Sequence, residues 1–267
     1  MDFSVPPDSK TARLPAPLRP LAVLTLRGYL ALHARIRREP PPLYVFEADG
    51  LATVHYSPFL EDRAFSERYD VMASEWFQHA KVDVRWRMWL LTRFARHCRE
   101  LDGEYAEFGT YRAGCAYMML ATAELPASKR LYLFDTFSGF PPEQINDAER
   151  AAGLHGALED TSVEYVTALL EPWIAQVGIV AGDVFETLGR TETGALAFVH
   201  MDLNLSQPTI AALEYTYPRL TQGAIIVFDD YGGKGLETQR AVVDEFFNGK
   251  TEEVIALPSG QGMMIKH

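Results

Sequence analysis

YAEFGTYRAG (residues 105–114) and LYLFDTFSGFP (residues 131–141) set the reading of this chain. Each opens with a short apolar run, Tyr105–Phe108 and Leu131–Phe134, and each run then breaks off at a glycine or an acid. The first passes through Gly109 and Gly114 straight into helical sequence. Glycine there permits a tight turn and lets a ligand approach the backbone. Only these two glycines are present, so the stretch is not the GxGxxG fingerprint of dinucleotide-binding folds. The second run ends at Asp135, 28 positions after Glu107. An acidic residue at that station takes the ribose hydroxyls in nucleoside-binding βαβ units.

Working outward, the same alternation continues. A helix is expected around Ser162–Gln176, then strands at Ile179–Val180 and Leu196–Met201. A helix around Thr209–Arg219 leads to a strand at Ala224–Phe228 and a helix near Glu237–Asn248. Val254–Leu257 and Met263–Ile265 read as a hairpin that closes the sheet edge, its turn carrying Gly260 and Gly262. Continuous apolar strands alternating with helices predict a mostly parallel sheet covered on both faces. Ligands in such sheets bind at the carboxyl ends of the strands, where the strand order reverses.

Acids stand at those ends: Glu107, Asp135, Asp183, Asp202 and the pair Asp229-Asp230. Taken singly, each aspartate is a helix cap or a solvated loop residue. Gathered at one edge they repel, and a cation relieves that repulsion. Asp202, Asp229 and Asp230 predict a hard-cation site of carboxylate oxygens, suited to Mg²⁺ or Ca²⁺. Glu107, Asp135 and Asp183 predict a nucleoside pocket beside it.

Upstream the text is less informative. Residues 1–20 carry Pro6, Pro7, Pro15, Pro17 and Pro20 and read as an irregular arm; Leu21–Arg38 reads as a helix closed by Pro40-Pro41-Pro42. Val84–Leu101 is a strong helix pattern, with Arg85, Arg87, Arg93, Arg96 and Arg99 on what reads as a solvated face. The division expected is an N-terminal arm and helical appendage, residues 1–100, and a cofactor domain, residues 101–267. The appendage is expected to contact substrate or a second copy of the chain.

A chain of 267 residues that is 48% hydrophobic buries a real core. Its net charge of −11 argues against nucleic acid as a partner. No run approaches the ~20 apolar residues of a membrane span. Cys98 and Cys115 are too few for a disulfide framework, which favours a cytoplasmic protein.

Residues 104–267, about 60% of the chain, resemble class I S-adenosylmethionine (SAM)-dependent methyltransferases. Within them they resemble the macrocin-type, metal-dependent O-methyltransferases that act on sugars of macrolides and aminocoumarins. EFGTYRAG (107–114), LYLFDTFSGFP (131–141), GDVFETL (182–188), HMDLN (200–204) and FDDYGGKG (228–235) carry the resemblance. It implies a Rossmann-like, seven-stranded, mostly parallel sheet with an antiparallel C-terminal strand. It implies a SAM pocket made by Glu107, Gly109, Thr110, Tyr111 and Arg112, by Asp135, Thr136 and Ser138, by Gly182, Asp183 and Val184, and by Asp202. Asp135 would hold the ribose and Asp183 the adenine amino group. Asp202, Asp229 and Asp230 would bind Mg²⁺ or another divalent ion.

The family's D-x-D after the fourth strand is D-x-N here, ending at Asn204. An amide takes no proton at neutral pH, so the base must be sought elsewhere. His155, between Gly153 and Gly156 in the polar segment Ser138–Thr161, is one candidate; that segment reads as a lid. His200, on the same strand face as Asp202, is the other, with packing beneath the site as its alternative. Tyr231 and Lys234 are open to a substrate contact or to helix packing. The expected activity is methyl transfer to a hydroxyl of a sugar, natural product or catechol-like diol. Metal-free transfer to nitrogen or carbon, and a non-catalytic SAM-binding scaffold, stand as its rivals.

Overall fold

The computed structural model describes residues 44–76 and 82–267. These fall in two units. The smaller is represented by residues 44–46 and 52–56, and the larger comprises 47–51 and 57–267. The helix read at Leu21–Arg38 and the proline-rich arm lie outside the described residues.

Seven strands form one sheet: β1 (Glu104–Phe108), β2 (Leu131–Asp135), β3 (Val177–Ala181), β4 (Leu196–Met201), β5 (Leu220–Phe228), β6 (Ile255–Ala256) and β7 (Gly262–Ile265). Their order across the sheet is β3-β2-β1-β4-β5-β7-β6. β1 to β5 are mutually parallel, whereas β7 runs antiparallel to both β5 and β6. The class is therefore the expected Rossmann-like α/β sheet, mostly parallel, with an antiparallel strand at the C-terminal end. β4 shows why its sequence does not alternate: all six of its residues, His200 included, are buried.

Eight helices are described: α1 (Arg63–Trp76), α2 (Arg85–His97), α3 (Gly114–Thr122), α4 (Asp147–Ala151), α5 (Val163–Leu169), α6 (Val184–Thr187), α7 (Ser206–Thr216) and α8 (Glu237–Phe247). α1 and α2 both pack on α3. Phe59 meets Trp86 and Phe65 meets Trp89 edge-on, each at 5.1 Å, and this aromatic cluster ties α1 to α2. Residues 57–100 thus share one compact unit with the sheet. The main core lies between the sheet and the helices that follow β4 and β5, with Phe108, Phe134, Met201 and Phe228 at its centre.

Strand order reverses between β1 and β4, because the chain builds outward through β2 and β3 before returning to pair β4 with β1. The crevice at the carboxyl ends of β1 and β4 is the predicted place for a ligand. Gly109 stands there with φ +83°, where a Cβ would lie 1.9 Å from the carbonyl oxygen of Asp202. No other residue permits this approach of the two strand ends.

The segment Ser138–Thr161 departs from the loop expected of it. A 3-10 turn, Pro142–Gln144, and helix α4 give it structure. Asn146 and Glu149 form a reciprocal capping box at α4. Glu149, fully buried, also accepts from the amide of Ser206 at 2.8 Å and the hydroxyl of Thr238 at 3.2 Å. One carboxylate thus fastens the segment to the first turns of α7 and α8.

Candidate active site

A cavity of about 380 Å³ opens at the carboxyl ends of β1 to β5. That volume falls in the range of small-molecule sites, roughly 300–1,000 Å³. Its walls are mainly apolar, with Phe134, Phe140, Pro141, Val184, Leu203 and Pro208 among them.

The turn after β1 shapes one side. Gly109, Tyr111 and Ala113 alternate in the left-handed region, with φ +83°, +47° and +58°. Such alternation aims successive amides at one point and makes an anion nest. Here the nest holds a side chain: the amides of Thr110 and Tyr111 each donate to Oδ2 of Asp135 at 2.7 Å. Oδ1 of Asp135 accepts from the amide of Phe137 at 2.7 Å. Those amides are therefore not free to hold a dinucleotide's pyrophosphate, and Asp135 is held rigidly at the cavity wall.

Several predicted cofactor contacts line the cavity: Gly109, Tyr111, Asp135, Thr136, Gly182, Val184 and Asp202. Others do not. Glu107 is wholly buried, and its Oε1 lies 2.9 Å from Nδ1 of His200. Thr110 enters through its amide alone. Ser138 is exposed, its amide donating to Thr136. Arg112 is a clamp: it donates to the carbonyls of Glu75 and Asp160 at 3.1 Å each, and its guanidinium lies 4.2 Å from the centre of the Tyr165 ring. Asp183 caps α6 through Oδ1, which accepts from the amide of Phe185 at 2.9 Å, while Oδ2 accepts from the amide nitrogen of Gln144. Gln144 lines the cavity, and Asp183 is not among the lining residues.

At the other end, ligand atoms of Asp202, Asp229 and Asp230 all lie within 4.8 Å of one another. The sequence places Asp202 after β4 and the pair after β5, and parallel register brings the two ends level, with Met201 beside Phe228. Arg87, read from the sequence as part of a solvated face, instead turns inward from α2. Its Nη1 lies 3.0 Å from Oδ2 of Asp229 and 3.6 Å from Oδ1 of Asp230, and its Nε donates to Asp49 at 2.6 Å. Gln261, from the β6–β7 turn, donates to Oδ1 of Asp229 at 2.8 Å.

Proton affinities follow from this crowding. Burial, and then the charges of Asp229 and Asp230, drive the Asp202 carboxyl well up. Burial and Asp229 push Asp230 up to about 6. Burial works against Asp229 too, but His200 and Arg87 outweigh it and hold this carboxyl below the usual range. His200 has the converse balance: burial lowers it, while Asp229 and Glu107 raise it to about 10. Without a cation, the cluster therefore keeps protons on part of its carboxylates. Three hard oxygen donors that must share protons when alone fit a divalent ion well.

A second group with atoms within 4.8 Å is Glu107, Cys115 and His200, all buried. Burial drives the Cys115 thiol well up, so it stays protonated, and a thiol must be deprotonated to ligate. Its donor chemistry suits a metal less than the aspartate cluster does.

Neither candidate histidine faces the cavity. His200 has no exposed surface; it bridges Glu107 and Asp229 beneath the acids, with Nε2 at 3.7 Å from Oδ1 of Asp229. Its place matches the alternative of packing beneath the site. His155 is exposed in a turn and is not among the residues that line the cavity. Asn204 does line the cavity, in the left-handed region at φ +60°, a conformation asparagine tolerates. Its amide donates back to Asp202 at 3.3 Å. Tyr231 is turned away onto α8, its hydroxyl bonded to Asp244.

Three residues escaped the sequence reading: Arg87, Gln144 and Gln261. A glutamine or arginine carries no motif of its own. Only Arg87 left a trace, as one of five arginines on a helix face read as solvated.

Known proteins resemble this chain in sequence and in fold. A curated methyltransferase of Streptomyces olivaceus, 8-demethyl-8-(2,3-dimethoxy-alpha-L-rhamnosyl)-tetracenomycin-C 4'-O-methyltransferase, is 30% identical over 140 residues. The match takes in 49% of this chain and 54% of that protein, so the chain spans about half the length of the curated relative. Among solved structures, the O-methyltransferase NovP superposes with a TM-score of 0.60 at 21% identity, covering 67% of this chain and 79% of NovP. The calicheamicin methyltransferase CalS11 does so with 0.57 at 21% identity, covering 79% and 94%. These structural matches show the shared fold. The macrocin-O-methyltransferase (TylF) family matches residues 60–256, well over half of the sequence. The chain belongs to the TylF macrocin-O-methyltransferase family.

Proposed function

We propose that this protein transfers a methyl group from SAM to a hydroxyl of a sugar or other natural product, assisted by a divalent cation. One observation carries the reading: three aspartates converge in the wall of a nucleoside-sized cavity at the strand-order reversal. Family membership and the names of the relatives support it.

When bound, SAM supplies an electrophilic methyl group, and a divalent ion supplies Lewis acidity that lowers the pKa of a coordinated hydroxyl. Asp202, Asp229 and Asp230 hold the ion. Gly109 lets the SAM methionine end approach the backbone between β1 and β4. Asp135, fixed by three amides, keeps one Oδ1 lone pair for a ribose hydroxyl. His200, clasped by Glu107, keeps Asp229 ionised. The apolar walls exclude water, and positioning the hydroxyl in line with the sulfonium supplies much of the rate. With Asn204 unable to take the proton, no side chain of the D-x-N motif beyond Asp202 serves as base.

Arg87 extends the site into the N-terminal region, which supports a role for residues 1–100 in substrate or subunit contacts beside the SAM domain at 101–267. Buried, free Cys98 and Cys115 support a reducing, cytoplasmic setting. Among the described residues, no helix is long and apolar enough to cross a membrane.

Metal-free transfer, to nitrogen or carbon, is favoured by one feature: Arg87 already neutralises part of the acid cluster. Turnover with vicinal diols separates the two. The proposal expects S-adenosylhomocysteine (SAH) to bind with or without chelator, and methylation to stop in chelator and resume with Mg²⁺. Undiminished methylation in chelator, unchanged in Asp230→Asn, overturns the metal-assisted reading.

A further inference from the structure

The cavity ends differ in chemistry. The acid cluster occupies the end below β4 and β5, where a methyl acceptor belongs. At the β3 end, Phe140, Pro141, Gly182 and Val184 form apolar walls, and Gln144 offers a polar side chain among them. A mostly apolar pocket with a side-chain amide in its wall suits a nucleoside base.

The orientation of that amide is settled by its neighbour. A carboxylate has no hydrogen to give, so Gln144 must present its NH₂ to Oδ2 of Asp183. Asp183 is itself held, because Oδ1 caps α6. The Gln144 carbonyl oxygen is therefore turned to the opposite side of the amide. Gln144 is 7% exposed and lines the cavity, whereas Asp183 is set behind it. We infer that Gln144, with Asp183 as its positioning residue, reads the base: its carbonyl accepts a hydrogen bond from a 6-amino group. This rests on the SAM reading above, and it moves base recognition from Asp183 to a residue of the segment that follows β2. An acceptor in that position selects an amino-bearing purine and rejects one with a 6-carbonyl, because two acceptors would face each other.

Calorimetric titration with SAH and with S-inosylhomocysteine, its deaminated counterpart, tests the inference without requiring turnover. The wild-type protein should favour SAH by about tenfold or more, the consequence of one buried polar group left unpaired. Gln144→Leu should bring the ratio towards one; should this variant fail to fold, Gln144→Met serves the same purpose. Asp183→Asn should invert the preference. Asparagine keeps the cap through Oδ1 but offers NH₂ to Gln144, whose amide must turn and present its own NH₂ to the cavity. A ratio unchanged in the Gln144 variants but lost in Asp183→Asn would overturn the inference and make Asp183 the direct contact. Failure of SAH to bind the wild-type protein would instead sink the methyltransferase reading.

Discussion

Gly109→Ala adds one methyl group at the point where β1 and β4 come closest. Its Cβ would stand 1.9 Å from the carbonyl oxygen of Asp202 and 2.6 Å from its carbonyl carbon. Both are backbone atoms, so no side chain can swing aside. The neighbourhood is also pinned: the amide of Gly109 donates to Phe134 at 2.9 Å, and that of Asp202 donates to Phe108 at 2.8 Å. Holding alanine at φ +83° costs roughly 1–2 kcal/mol. Forcing the strand ends apart costs roughly a further 1–3 kcal/mol, as for other overpacked positions. The total of about 2–5 kcal/mol is a large share of a typical domain stability of roughly 5–15 kcal/mol. At about 2–4 °C per kcal/mol for a chain of this size, the melting temperature should fall by about 4–20 °C. Calorimetric melts of the two proteins at one pH and without metal measure it. A midpoint within about 2 °C of wild type would refute the claim that the strand ends cannot part.

Metal and proton should compete at the acid cluster. Asp230 titrates at about 6 in the folded protein, above the ~3.9 of an unfolded aspartate. This group therefore favours the metal-free fold as pH falls through 6 towards 4, and disfavours it above 6. Mg²⁺ should raise the melting temperature more at pH 8 than at pH 5.5; equal increments would contradict the assignment. His200, raised to about 10, contributes stability that is complete below about 6.5 and lost as pH climbs through 10, so melts should decline on the alkaline side. Arg87→Gln removes a positive charge beside the cluster. At a separation of about 4–5 Å in water, a divalent ion is repelled by about 2 kcal/mol, so Mg²⁺ affinity should rise about ten- to thirtyfold by calorimetry. Weaker binding would show that Arg87 supports the site. Glu149→Ala leaves the amides of Ser206 and Asn146 without their acceptor and should cost about 2–4 kcal/mol. Hydrogen exchange should quicken over residues 146–161, and unaltered exchange there would deny the fastening role.

The strands and the strand-end acids were legible because each is a local pattern: an apolar run, then Glu107, Asp135, Asp183, Asp202 or Asp229. Parallel register does the rest, so Asp202 and Asp229 meet with no further information. What each acid does was less legible. Asp135 and Asp183 each spend one oxygen on an amide two residues on and the other on amides far back in the chain, and Glu107 lies buried with His200. Those outcomes depend on burial and on partners far along the sequence. Arg87 reads as surface because helical period alone cannot say which neighbour lies opposite an arginine. Ser138–Thr161 reads as loose because a buried Glu149 that organises it looks like any surface glutamate.

Gln261 reaches Asp229 from the final turn, and Arg87 reaches it from well upstream of β1. During synthesis, the aspartates after β4 and β5 leave the ribosome before their last partner exists. Until then Asp229 has Arg87 and His200 beside it but lacks its amide donor. The acid cluster therefore gains its full set of partners only when the β6–β7 turn has folded back against the end of β5.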